Sequence, residues 1–247
     1  MPYGLSGDYF PGMCGRYTRK YTWREVRAFL DLKFPEHLDL EPSFNVAPTH
    51  TAPIVREGGR GREMAMATWG LVPHWADDPK VGARMINARA ETVASKPAYR
   101  DAFKKRRCVV PISGFYEWQA RDKGPKQPYY TTRADGEIMC LAGLWERWDK
   151  GGEPLETYTI ITAEANALLQ PIHPRMPAVL EREQVNDWLR NGADAAVLAG
   201  FLRPAAAGIL EAHLVSTRVG NVANDDAALI EPKRGASGAL FGQGSEE

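Results

Sequence analysis

Three cysteines in 247 residues, no Cys-x-x-Cys pair and no apolar run of membrane-spanning length set the first limits on this chain. An odd, widely spaced set (Cys14, Cys108, Cys140) offers neither a disulfide framework nor a zinc site, and it points to a reducing, cytoplasmic compartment. Residues 1–12 lack the basic start and apolar stretch of a secretory signal. Net charge is missing as well: 31 Lys and Arg stand against 31 Asp and Glu. That balance argues against a generic polyelectrolyte binder but leaves room for a local basic groove. Internal repeats and long linkers are absent, so one domain is expected.

Glycine and proline are plentiful, 23 and 18 residues, and favour a loop-rich and strand-rich fold over a helical bundle. Thr22 and Glu25 have capping-box spacing, and Trp23, Val26 and Leu30 share a face, which predicts a helix over 23–31. Strands at 52–57 and 63–71 flank a turn at Gly58-Gly59-Arg60-Gly61. A helix over 97–106 is expected to start at Pro97, and the β-branched run 107–112 reads as a buried strand. Further strands are predicted at 128–132, 137–146, 156–162 and 212–217. Helices are predicted from a Thr162 cap to Leu169, at 181–190 and at 193–202, with a disordered tail from Gly235. Strands and helices do not alternate, so the class is α+β with a mostly antiparallel sheet.

Chemistry concentrates in four short segments. Cys14-Gly15-Arg16 joins a thiol, an open backbone and a planar cation suited to phosphate. In Ile86-Asn87-Ala88-Arg89-Ala90-Glu91, the Asn87 amide both donates and accepts, and an extended chain points Arg89 to the same side. Glu117, in Phe115-Tyr116-Glu117-Trp118, sits among aromatics after a buried strand, where desolvation raises a carboxyl pKa. His173 lies between Pro171 and Pro174, which hold its ring, and Arg175 beside it offers an anion site. The block Lys104-Lys105-Arg106-Arg107 reads either as part of a basic groove or as a solvated helix end.

These segments, in order with Phe44-Asn45-Val46-Ala47-Pro48-Thr49, Trp69-Gly70-Leu71-Val72-Pro73 and Ala142-Gly143-Leu144-Trp145, resemble the SOS response-associated peptidase (SRAP) family over residues 13–232. The resemblance implies a barrel-like twisted sheet with peripheral helices, and a protein that crosslinks itself to abasic sites in single-stranded DNA. It implies that Cys14, as an N-terminal residue, captures the sugar aldehyde as a thiazolidine. Asn87 would orient the amine, Glu117 relay protons, and His173 assist at the aldehyde oxygen. Arg16, Arg89 and Arg175 are expected on phosphates and Trp118 on a base. A DNA-damage role in the cytoplasm, at the nucleoid, follows, with abasic single-stranded DNA as partner. No metal, cofactor, membrane or obligate protein partner is expected, and the protein is expected to be a monomer.

The sequence departs from the family at its start, because residues 1–13 precede Cys14 and leave it no free amine. The expected division is 1–12 as a leader or mis-assigned start, 13–234 as a single domain, and 235–247 as the tail. Removal of the leader follows from initiation at Met13 or from self-cleavage between Met13 and Cys14. Two other activities compete: a thiol peptidase built from Cys14, His173 and Glu117, and a non-covalent single-strand binder.

Overall fold

The computed structural model describes residues 14–206 and 208–233; the expected leader and tail lie outside them. In chain order the elements are β1 (Arg16–Arg19), α1 (Trp23–Leu30), β2 (Ser43–Val46), β3 (Thr51–Gly58), β4 (Gly61–Trp69), β5 (Asn87–Arg89), α2 (Arg100–Lys105), β6 (Arg107–Ile112) and β7 (Gly114–Gln119). They continue with β8 (Gln127–Arg133), β9 (Met139–Trp148), β10 (Leu155–Glu164), β11 (Arg175–Pro177), β12 (Val179–Leu180), α3 (Arg182–Leu189), α4 (Ala195–Phe201) and β13 (Leu210–Leu214). The class is the expected mixed one, with mostly antiparallel pairing and few helices.

Strands β10, β4, β3, β6 and β9 close on themselves through the β9–β10 pairing, making a five-stranded barrel. A second sheet runs β13-β8-β7-β1-β2 and is antiparallel throughout. β6 shows why both layers are needed. All six of its residues are buried. Cys108, Val110 and Ile112 enter the core shared with the second sheet, while Val109 enters the core under the helices. A two-residue period buried on both faces demands a cover on each side. Ser113 alone separates β6 from β7, so one continuous run carries the chain from barrel to second sheet.

Local chemistry sets the boundaries. Thr22 and Glu25 form the expected capping box on α1. The turn at 58–61 joins β3 to β4 in full register. Gly70 has φ +127°, and a Cβ there would lie 2.5 Å from the Gly82 carbonyl oxygen; only glycine lets the chain leave β4 this tightly and return at β5.

Three expectations need correction. No helix starts at Thr162: β10 continues to Glu164, and the turn that follows is capped by Asn166, whose Oδ1 accepts from Leu169 N–H at 3.1 Å. Thr162 is a strand residue paired with both Pro177 and Arg89, and two ladders outweigh one cap. α2 begins at Arg100 rather than Pro97, because residues 90–99 form successive turns. The last strand spans Leu210–Leu214, earlier than expected, and Ser216 caps a 3-10 turn over Thr217–Gly220.

That C-terminal stretch folds back on β2. Asn45 Nδ2 donates to the carbonyls of Val219, Asn221 and Asn224 at 3.3, 3.1 and 2.7 Å. Asp225 accepts from Ser43 Oγ at 3.0 Å and from the Phe44 N–H. The buried Asn45 therefore satisfies its amide on backbone nearly 180 residues away.

Candidate active site

β1 and β7 run antiparallel with Arg16 opposite Tyr116 and Thr18 opposite Gly114. Continued two residues, that register brings Cys14 beside Glu117 and Trp118. The Cys14 N–H donates to Glu117 Oε1 at 2.5 Å. Both residues are buried, Cys14 at 0% and Glu117 at 3% exposure. Burial pushes the Glu117 carboxyl up to about 7, against the pull of the Cys14 and Trp118 N–H groups and the Lys126 charge. Burial first, then the neighbouring Glu117, raises the Cys14 thiol well above its ordinary range. The pair is thus a neutral thiol against a carboxyl that exchanges its proton near neutrality. Cys14 has φ +32°, in the left-handed region that a Cβ disfavours. Among the described residues, chain neighbours aside, a Cβ on Gly15 would meet no atom within 4 Å.

Asn87 opens β5 and pairs in parallel with Ile160 of β10. Its carbonyl accepts from Tyr99 Oη at 3.2 Å. His173 ends the Asn166 turn, where its own N–H donates to the Leu169 carbonyl at 2.9 Å. Gln119, at the end of β7, donates to the Pro171 carbonyl at 3.0 Å and so fastens this turn to the strand of Glu117. Ile86 and Ile172, the residues preceding Asn87 and His173, lie in the same buried cluster as Cys14. Beneath them Tyr17 and Tyr158 share a 2.7 Å hydroxyl hydrogen bond, joining β1 to β10. The sequence-predicted Cys14 and Glu117 are therefore in direct contact, and the segments of Asn87 and His173 converge on the same cluster.

The expected DNA contacts divide. Arg89 is exposed. Arg16 Nη1 is held by the Val219 carbonyl at 2.8 Å and Asn45 Oδ1 at 3.3 Å. Arg175 is paired with Glu91 at 2.5 Å. Trp118 is half-buried, with its ring centroid 6.4 Å from that of Tyr116. The basic block serves the fold. Lys104 and Lys105 end α2, Arg106 meets Glu146 at 2.6 Å, and buried Arg107 donates to the carbonyls of Phe103, Lys104, Trp188 and Arg190.

Lys126 was not visible as a site residue in the sequence. It is exposed just before β8, at the hairpin end next to Gln119, and its charge lowers both Glu117 and His173. No local motif marks it; only the β7–β8 pairing and the Gln119–Pro171 bond bring it there.

Fold and site together define a barrel-and-sheet protein that holds a cysteine's nitrogen and thiol against a near-neutral carboxyl. The chain belongs to the SRAP family: the family model described as "SOS response associated peptidase (SRAP)" matches residues 13–222. The chain is 37% identical over 223 residues to the abasic site processing protein YoqW of Bacillus subtilis, covering 89% of this chain and 99% of that one. It is 32% identical over 232 residues to the abasic site processing protein YedK of Escherichia coli, covering 89% and 100%. Against the abasic site processing protein HMCES of Gallus gallus it is 35% identical over 226 residues, covering 77% and 66%. A crystal structure of a Bacteroides thetaiotaomicron protein superposes with a TM-score of 0.77 at 26% identity, covering 89% of this chain and all of that one.

Proposed function

We propose that this protein processes abasic sites, and that it does so by bonding Cys14 to the sugar aldehyde in single-stranded DNA. The single observation that carries the reading is the 2.5 Å contact between the Cys14 nitrogen and a buried carboxyl poised near pH 7. The names of YoqW, YedK and HMCES supply the substrate class.

The chemistry requires Cys14 as residue one, with its α-amine free. The amine nitrogen attacks the ring-opened aldehyde, and loss of water leaves an imine. The thiol then adds to the imine carbon, its proton passing to nitrogen, and a five-membered thiazolidine closes. Net, aldehyde and aminothiol give thiazolidine and one water, with no oxidation. Glu117 accepts the proton from the attacking amine and returns it to the departing hydroxyl, work suited to a group that titrates near the working pH. A general acid-base group in such a position contributes about 10²–10⁴-fold. Asn87 orients the amine and sugar, and His173 serves the aldehyde oxygen. Arg89 is the exposed cation for a phosphate; Arg16 and Arg175 would share their guanidinium groups with protein acceptors.

A second reading, autoproteolytic release of Cys14, is favoured by φ +32° at Cys14. A left-handed residue with a Cβ stores roughly 1–2 kcal/mol, and cleavage before Cys14 removes that torsion altogether. A general thiol peptidase is disfavoured, since it needs a thiolate and burial keeps this thiol protonated.

The test uses protein beginning at Cys14, a single-stranded oligonucleotide with one abasic site, and a denaturing gel. A slower, heat-stable band is expected, absent for Cys14→Ser and for protein that retains residues 1–13. No band from the Cys14-terminal protein would sink the reading.

A further inference from the structure

One ion pair ties the turn carrying His173 to the segment carrying Asn87. Arg175 Nη1 donates to Glu91 Oε1 at 2.5 Å, and Nη2 donates to Oε2 at 3.0 Å and to the Thr162 carbonyl at 2.6 Å. Glu91 stands two residues beyond β5, in a turn whose Thr92 and Val93 N–H groups return to the Arg89 carbonyl. Its carboxyl is held below the ordinary range, first by the Arg175 hydrogen bond, so it is ionised at neutral pH.

The backbone of Arg175 in turn brackets the His173 ring. Its N–H lies 3.2 Å from Nδ1 and its carbonyl oxygen 3.3 Å from the same atom. A neutral ring protonated at Nε2 accepts from that N–H; an imidazolium donates from Nδ1 to that carbonyl. One residue thus serves both protonation states without the ring turning. Arg175 is the first residue of β11, a strand of three residues, so its backbone has little ladder to hold it. That ladder pairs Arg175 with Glu164, and the Ala165 N–H donates to the Pro174 carbonyl at 3.0 Å; the grip of Glu91 and Thr162 on the guanidinium adds to this short pairing.

We propose that Glu91 is a positioning residue: it anchors Arg175, and through the Arg175 backbone it helps to fix the ring of His173. The inference rests on the crosslinking reading above and adds a residue to it. Glu91 also occupies the guanidinium fork that a phosphate would use. Its loss therefore slows the chemical step while leaving DNA binding equal or tighter.

The experiment measures single-turnover adduct formation with the abasic oligonucleotide, across a range of DNA concentrations, using protein beginning at Cys14. Glu91→Ala and Glu91→Gln are each made alone and in a His173→Gln background, with thermal unfolding to confirm folding. Loosening a positioned group costs about 10-fold in rate here. That loss is expected in the saturating rate of Glu91→Ala, with the half-saturating concentration unchanged or lower. Glu91→Gln, which still accepts one bond, falls between and serves should Glu91→Ala not fold. In the His173→Gln background the Glu91 substitutions cost nothing further. An equal loss in both backgrounds, or weaker half-saturation with the saturating rate intact, overturns the assignment. So does a Glu91→Ala adduct formed at the wild-type rate. A wild-type protein that forms no adduct overturns the crosslinking reading as well.

Discussion

Burial acts on Cys14 and Glu117 alike by disfavouring charge, and the consequence for Glu117 can be measured without DNA. Its carboxyl, pushed up to about 7 from 4.5, binds a proton more tightly in the folded than in the unfolded protein. Stability therefore falls as pH rises between those values, because the folded state holds more protons there. Glu117→Gln is expected to flatten this dependence and to stabilise the protein above pH 7 by roughly 3 kcal/mol at most. Denaturant unfolding at pH 5 and pH 8 checks it; an unchanged slope in the variant refutes the shift. Its adduct formation should drop about 10²-fold or more. Lys126→Gln removes a cation that lowers Glu117, so the pH midpoint of wild-type adduct formation should move upward in that variant. Glu117 was legible in the sequence, since a carboxylate set among aromatics after a buried strand announces its desolvation. Lys126 and Glu91 were not, because their roles depend on partners 9 and 84 residues distant that only folding supplies.

Elements were legible where local signals agreed with the tertiary structure. α1 carries its own cap and face, and β3–β4 carries its own turn. Prediction went astray where a short-range signal met a longer-range ladder: Thr162 has the chemistry of a cap but lies inside β10. Arg107 teaches the same lesson in reverse, since a charge in a basic block turned out to be a buried cement. Its guanidinium satisfies four carbonyls from the ends of α2 and α3. Arg107→Ala is expected to cost about 3–5 kcal/mol by orphaning them, whereas exposed Lys104→Ala should stay within about 0.5 kcal/mol. Comparable losses for the two in denaturant titrations would contradict this division of labour.

At the scale of the whole molecule the net charge is zero, and of the three arginines expected on phosphates Arg16 and Arg175 are engaged with protein groups while Arg89 is exposed. Each neutralised phosphate on a single strand contributes a slope of about −0.7 in log affinity against log salt. Two or three contacts give roughly −2, measurable with an oligonucleotide that lacks an abasic site. A slope near −6 would require more phosphate contacts than Arg16, Arg89 and Arg175 supply.

The strap from Val219 to Asp225 reaches across to Arg16 and to β2, the neighbour of β1, which begins two residues after Cys14. Synthesis runs from the N-terminal end, so β1 leaves the ribosome some 200 residues before the segment that clamps it. A nascent chain therefore carries Cys14 and β1 long before the segment that ties down Arg16 and Asn45 exists. The fastening of β1 and β2 is therefore among the last long-range contacts that a growing chain can complete.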